Sequence, residues 1–349
     1  MKIRRRRFLN IAGGALAAPF LWRGGTARAA EVTLKMHHLL PPMAAGPSRF
    51  LAPWAKKVEA ESDQRIKIDI YPSMQLGGTP PQLFDQARDG VVDLIWSLPG
   101  YTAGRFPRLE TFELPFVAAR RAIVNAQAVQ EFTDTHLGDE LAEVHPICVW
   151  AHDRGVVHCR KKVTSLEDLA GLKIRFPTRL AGEALQALGA SPIGMPVPQV
   201  PESLAQGVID GCVVPWEVVP GLKLQELVTS HTEIPGSPTF YTATFFLVMN
   251  KARYEGLPAD LKAVIDANSG LVAARMAGTA WDEAAIPGME AAKSRGNEIV
   301  TLTEEEAGRW REKTKPVWDT WLAGTKDRGF DGGKLLEDAQ ALIAKYDQA

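Results

Sequence analysis

At 349 residues the chain is longer than one compact core usually holds, so two lobes are expected. With 46% hydrophobic and 23% charged residues it has an ordinary globular composition, and no run of eighteen apolar residues outside the extreme N-terminus marks a membrane span. Residues 1–29 carry seven basic and no acidic residues; without them 33 basic face 41 acidic residues, a formal charge of −8, which disfavours nucleic-acid and anionic-membrane partners.

The N-terminus reads as an export address. Arg5-Arg6-Arg7-Phe8-Leu9-Asn10 matches the twin-arginine pattern, an apolar stretch runs from Ile11 to Trp22, and Ala27-Arg28-Ala29 offers a cleavage site. The mature, periplasmic chain is expected to begin near Ala30. The competing reading, a basic nucleic-acid arm, does not account for the apolar segment and the small-residue site.

A first strand follows at Val32 to His37, then a helix with Phe50, Trp54 and Val58 at four-residue spacing, its start delayed or kinked by Pro53. Ile66 to Ile70 alternates as a strand and closes on Tyr71-Pro72. Thr79 caps a helix with Pro80 at its first position and Gly90 as its stop, before the buried strand Val91 to Trp96. The unit recurs: Pro81 to Asp93 parallels Pro201 to Asp210, each a short helix ending on glycine and opening a strand with V-x-D. Tryptophans follow both, Trp96 and Trp216. The repeat, unless it is a chance match of a common pattern, predicts two similar α/β lobes with a ligand cleft at the strand ends. Pro146 to Ala151 and Gly155 to Arg160 read as short strands around His152-Asp153-Arg154-Gly155. A strand from Tyr241 to Met249 leads into Asn250-Lys251 and a long helical region from Pro258 to about Arg295. The C-terminal part, with Trp310, Val317, Trp318 and Trp321, reads as helices packed on one lobe. Thr303 caps the Glu304-Glu305-Glu306 run, which is a solvated helix start.

Enzymatic chemistry finds little footing. The chain lacks G-x-S-x-G, H-E-x-x-H, G-x-x-x-x-G-K and G-x-G-x-x-G, and its seven histidines are scattered. His37 and His38 are adjacent in a strand and point to opposite faces, so they cannot chelate one ion. No catalytic, metal or cofactor-binding residue is assigned; a periplasmic enzyme acting on a small carboxylic acid is the alternative. Of three cysteines, Cys212 sits in an apolar strand as a small hydrophobe. If residues 152–155 close a hairpin, Cys148 and Cys159 oppose each other at ~4.5–5.5 Å between Cα atoms, within disulfide reach. Two core thiols are the other reading.

Asp168-Leu169-Ala170-Gly171-Leu172-Lys173-Ile174-Arg175-Phe176-Pro177 sets a guanidinium near a strand end, suited to gripping a carboxylate with two parallel hydrogen bonds. With Leu185 to Pro192, Met195-Pro196 and Pro201 to Gly211, the run resembles the solute-binding proteins of tripartite ATP-independent periplasmic (TRAP) transporters. Tyr71 to Gly78, Glu113-Leu114-Pro115-Phe116 and Met249-Asn250-Lys251 extend the similarity over nearly the whole mature chain. The resemblance implies a two-lobed α/β fold of the type II periplasmic-binding-protein kind, with a cleft between the lobes and a long helix spanning both. Lobe I is expected at 30–152 and about 244–285, lobe II at about 153–243 and 286–349. It also implies a non-enzymatic transport function: capture of an organic acid and delivery to TRAP permease subunits.

By the same resemblance Arg175 is the carboxylate clamp, the other reading being an internal ion pair. Sialic-acid-binding members place an arginine and an asparagine where this chain has Val157 or His158 and Val214. The loss of those polar groups points to an apolar or aromatic monocarboxylate. Arg154 is a candidate second charge. His38, Trp96, Trp216, Glu217, Phe240 and Tyr241 are candidate contacts, all in segments expected to face the cleft. Some keto-acid-binding members use a Glu-Trp pair and a metal; the reversed order Trp216-Glu217 gives no ground for carrying the metal over.

Overall fold

The computed structural model describes residues 30–348, so the expected export segment lies outside the described residues. Eleven strands form in chain order: β1 Val32–His38, β2 Ile66–Tyr71, β3 Leu94–Ser97, β4 Val144–Ala151, β5 Val156–Cys159, β6 Lys173–Phe176, β7 Ser191–Gly194, β8 Gly211–Val214, β9 Ser230–Glu233, β10 Thr244–Asn250 and β11 Glu298–Thr301. They assemble into two mixed sheets, β2-β1-β3-β10-β4 and β11-β9-β5-β8-β6-β7. Each sheet is the floor of one lobe, and both lobes are of the expected mixed α/β kind.

The internal repeat holds at the level of single hydrogen bonds. In lobe I the Val91 N–H donates to Gln86 O at 2.9 Å, Gly90 takes φ +73°, and Asp93 Oδ2 accepts the Lys35 N–H of β1 at 2.7 Å. In lobe II the Val208 N–H donates to Ser203 O at 2.9 Å, Gly207 takes φ +72°, and Asp210 Oδ2 accepts the Lys173 N–H of β6 at 2.8 Å. Glycine ends both helices because the turn needs a left-handed residue. The aspartate then ties the start of the next strand to its parallel neighbour.

Residues 152–155 do not close a hairpin. β4 pairs with β10 in one sheet while β5 pairs with β8 and β9 in the other, so this segment carries the chain between lobes. The proposed facing of Cys148 and Cys159 is therefore corrected: they lie in different sheets, and all three cysteines are free and buried. Gly155 is needed at the crossing, because a Cβ there would come within 2.0 Å of the Tyr241 ring.

The helical region after Pro258 is two helices, Ala259–Ala267 and Leu271–Ser294, parted at Gly270, whose N–H donates to Ile147 O at 2.7 Å. The second helix touches both lobes. Asp282 accepts the N–H groups of Ala122 and Ile123 in lobe I at 2.7 and 3.1 Å, and Gly288 lies against the Trp216 backbone of lobe II. The helix Glu304–Asp327 begins on the expected Thr303 cap, but its acidic start is not wholly solvated: Glu306 is buried and accepts the Leu166 N–H at 2.7 Å. The helix packs on lobe II, Trp310 against Phe240 at 5.2 Å between ring centres. The last helix, Gly332–Asp347, instead returns to lobe I, where Lys345 pairs with Glu131 at 2.6 Å. The expectation that all of 286–349 belongs to lobe II is corrected accordingly.

The lobe I core is aromatic. Phe50, Trp150, Trp281 and Phe245 meet edge to face or offset, with Trp96 joining them at 5.9 Å from Phe245. Such pairs add ~0.5–1.5 kcal/mol each beyond buried area.

Candidate ligand cleft

Between the lobes, at the carboxyl ends of β1, β3, β6 and β8, lies a narrow cleft. Lobe I supplies Leu39, Leu40, Trp96, Leu98 and Phe245; lobe II supplies Arg175, Pro177, Val197, Val214 and Glu217. The lining is mostly apolar.

Arg175 is the dominant polar feature. Alternation along β6 buries Ile174 in the lobe II core and turns Arg175 the other way, leaving it 1% exposed. Its Nε donates to Met195 O at 2.9 Å and its Nη1 to Val213 O at 3.2 Å. Nη2 has no partner, and among the described residues the guanidinium forms no ion pair with a carboxylate. A buried cation held in place by two carbonyls but lacking a counter-charge leaves a large desolvation cost unanswered. Nη2 and the second N–H of Nη1 together form the fork that a carboxylate fits.

Tyr101 stands beside it. The Val197 N–H of lobe II donates to the Tyr101 hydroxyl of lobe I at 3.0 Å, so this bond spans the cleft and leaves the phenol proton free to donate. Burial pushes the Tyr101 pKa up while Arg175 pulls it down, and the net shift is upward.

Glu217 follows β8 and is 2% exposed, with Oε2 unpartnered. Burial pushes its carboxyl up to about 8, nearby Asp153 adds to the push, and the Trp281 indole, close by without hydrogen-bonding geometry, pulls the other way. It is therefore a neutral acid at pH 7, able to donate as well as accept. His152 is a further buried polar group. Its Nε2 accepts the Ala243 N–H at 2.9 Å, which leaves Nδ1 to donate to Asp153 O at 2.5 Å. Burial lowers its pKa to about 3, so it carries no charge into the cleft.

Of the eight residues expected from sequence, Arg175, Trp96, Glu217 and Tyr241 line the cleft and four do not. Trp216 is turned into lobe II, its Nε1 donating to Glu233 Oε1 at 2.6 Å. Arg154 is engaged with the same carboxylate, Nε to Oε1 at 2.7 Å, and with Asp153. Burial raises the Glu233 pKa, but Arg154, Trp216 and Arg120 together hold it below the usual range. Phe240 packs against Phe116 and Trp310. His38 is fully buried beside Trp96, outside the cleft lining, with both ring nitrogens unpartnered and its pKa lowered to about 4 by burial. Tyr101, Phe245 and His152 were not among the expected contacts. Tyr101 follows the end of β3 in the Pro99-Gly100 turn, where the strand-end rule could have found it; Phe245 lies inside β10, where nothing in the local pattern separates a cleft-facing residue from core. Among the described residues no group of three histidine, cysteine or acidic side chains is placed to hold a metal.

Two α/β lobes joined by crossing segments, with a largely apolar cleft and one uncompensated cation at the strand ends, define a binding protein of the periplasmic two-lobed class. Similarity to known proteins narrows this class. Residues 48–324 match the family described as bacterial extracellular solute-binding protein, family 7. A marine metagenome TRAP solute-binding protein specific for aromatic acid ligands, solved with 3-hydroxybenzoate, is 46% identical over 91% of this chain and 100% of its own, with a TM-score of 0.89. One from Rhodoferax ferrireducens, solved with copurified benzoate, is 43% identical over 90% and 98%, with a TM-score of 0.88. One from Bordetella bronchiseptica, solved with (R)- and (S)-mandelate, is 30% identical over 90% and 99%, with a TM-score of 0.83. The C4-dicarboxylate-binding periplasmic protein DctP of Rhodobacter capsulatus is 25% identical over 90% of this chain and 93% of its own. The chain belongs to this family and is a TRAP-type solute-binding protein, not an enzyme. No helix among the described residues is long and apolar enough to cross a membrane.

Proposed function

We propose that the protein captures an aromatic monocarboxylate in the interlobe cleft, Arg175 clamping the carboxylate in a bidentate pair while apolar and aromatic side chains enclose the ring, and hands it to a TRAP permease. The observation that carries this is the buried Arg175 guanidinium with an unpartnered Nη2 in an otherwise apolar cleft. The ligands of the relatives from the marine metagenome, Rhodoferax and Bordetella support the same class. A dicarboxylate needs a second cation, yet Arg154 is paired with Glu233 and His152 is neutral. A sugar acid would bury several hydroxyls against Leu39, Leu98 and Val214, each costing ~1–3 kcal/mol when unpaired.

Calorimetry against benzoate, a branched keto acid, a C4-dicarboxylate and a sugar acid tests the reading. Benzoate is expected to bind most tightly; submicromolar binding of the sugar acid or dicarboxylate, with no response to benzoate, overturns it. Export follows from Arg5-Arg6 and the Ala27-Arg28-Ala29 site. Changing Arg5→Lys and Arg6→Lys together should leave precursor in the cytoplasm and abolish uptake of the acid; normal periplasmic yield of the double variant rejects the twin-arginine route.

A further inference from the structure

Once Arg175 has its carboxylate, one buried acid in the cleft is still without a partner. Glu217 is 2% exposed, lines the same space and leaves Oε2 unpaired. Across from it in lobe I, Trp96 and Phe245 offer no acceptor, and the Tyr101 hydroxyl and the His152 ring already accept the N–H groups of Val197 and Ala243. A plain benzoate would cover this carboxyl with hydrocarbon and strand it, whereas a ring hydroxyl would both donate to it and accept from it. We propose that Glu217 is a specificity-determining residue that hydrogen-bonds a hydroxyl on the aromatic body of the ligand, so that hydroxylated aromatic acids are preferred over unsubstituted ones. The inference rests on the aromatic-acid reading above. The neutral state that burial imposes on Glu217 agrees with it, since an ionised carboxylate in this cleft would repel the ligand's own carboxylate. Two complexes of the 46%-identical relative, with 3-hydroxybenzoate and with metahydroxyphenylacetate, carry a ring hydroxyl meta to the acid-bearing position.

The test compares, for the wild-type protein, the 2-, 3- and 4-hydroxybenzoates with the methylbenzoates of the same substitution. A methyl has the size of a hydroxyl but cannot hydrogen-bond. At least one hydroxybenzoate should bind about 10-fold or more tighter than its methyl counterpart, the scale of one satisfied buried polar group. Glu217→Met should shrink that ratio to within about threefold of unity, and Glu217→Gln, which keeps a donor and an acceptor, should retain most of it. Equal or better binding of every methylbenzoate by wild type overturns the inference while leaving the aromatic-acid reading intact. An undiminished ratio in Glu217→Met does the same, placing the hydroxyl's partner elsewhere. Wild-type protein that binds none of these acids removes both readings together. The ligand pairs decide the question even if the methionine variant does not fold.

Discussion

The two lobes share one construction and face the cleft with opposite chemistries. In each, a glycine-terminated helix feeds a strand whose aspartate accepts an N–H from the neighbouring parallel strand, at 2.7 Å in lobe I and 2.8 Å in lobe II. Beyond that point they diverge. The lobe I strand runs on to Trp96, which joins Phe245, Leu39 and Leu98 in an apolar wall. The lobe II strand runs on to Val214 and Pro215, and the polar groups come from beside it: Arg175 on β6 and Glu217 in the following turn. On the reading proposed above, lobe II would hold the ligand's charge and lobe I would enclose its hydrocarbon. A ligand with an anionic end and an apolar body would then touch both, and so would favour the closed arrangement by differential contact. Tyr101 links the two sides directly through the Val197 N–H.

The asymmetry between the lobes should respond most strongly at Arg175. Removing the guanidinium in Arg175→Ala should cost ~2–5 kcal/mol of binding, the scale for losing one partner of a buried charge pair. Arg175→Lys should not restore it, because a point-charged ammonium cannot reproduce the fork. Wild-type affinity in Arg175→Ala, measured by calorimetry, would move the grip away from lobe II.

The second test uses titration, which the lobe I wall of Trp96 and Phe245 cannot show. Glu217 has a pKa of about 8 in the fold and ~4.3 in an unfolded chain. The folded protein thus keeps a proton that the unfolded chain releases. Wild-type stability from this group is full at low pH and falls as pH rises through that window, by up to ~1.4 kcal/mol per pH unit. Glu217→Gln has no such proton, so its stability relative to wild type should climb between about pH 5 and pH 8. Urea denaturation at the two values measures this; a constant difference would mean that Glu217 ionises normally, while Phe245→Leu should show a constant difference.

The smallest effect sharpens the role of lobe I. Phe245→Leu keeps an apolar wall but removes a ring, and should weaken benzoate by ~0.5–1.5 kcal/mol while sparing a branched keto acid. Equal losses for both ligands would indicate general repacking around Trp150 and Trp281 instead of contact with an aromatic ring.

Much of this was legible before the structure. The repeat at Pro81 to Asp93 and Pro201 to Asp210, the Thr303 cap and Arg175 on the far face of β6 from Ile174 are all products of local rules: glycine stops, capping side chains and period-two alternation. Four of eight expected contacts, Arg175, Trp96, Glu217 and Tyr241, came from segments those rules place near the cleft. What local rules could not supply was partnership. Nothing in the sequence shows that Glu233 takes both Arg154 and the Trp216 indole, which turns two expected contacts inward. Cys148 and Cys159 look opposed along the chain, but β4 pairs with β10 and β5 with β8 and β9, so the turn between them is a crossing. Local sequence sets which residues start and stop the elements and which faces they bury, because those choices depend on neighbours within about one helical turn or strand. Which charges are already satisfied and which remain unpaired depends instead on long-range folding, because the partners come from distant parts of the chain. Tyr101 meets Val197, and Arg175 reaches Met195 and Val213, across chain separations that no local pattern encodes.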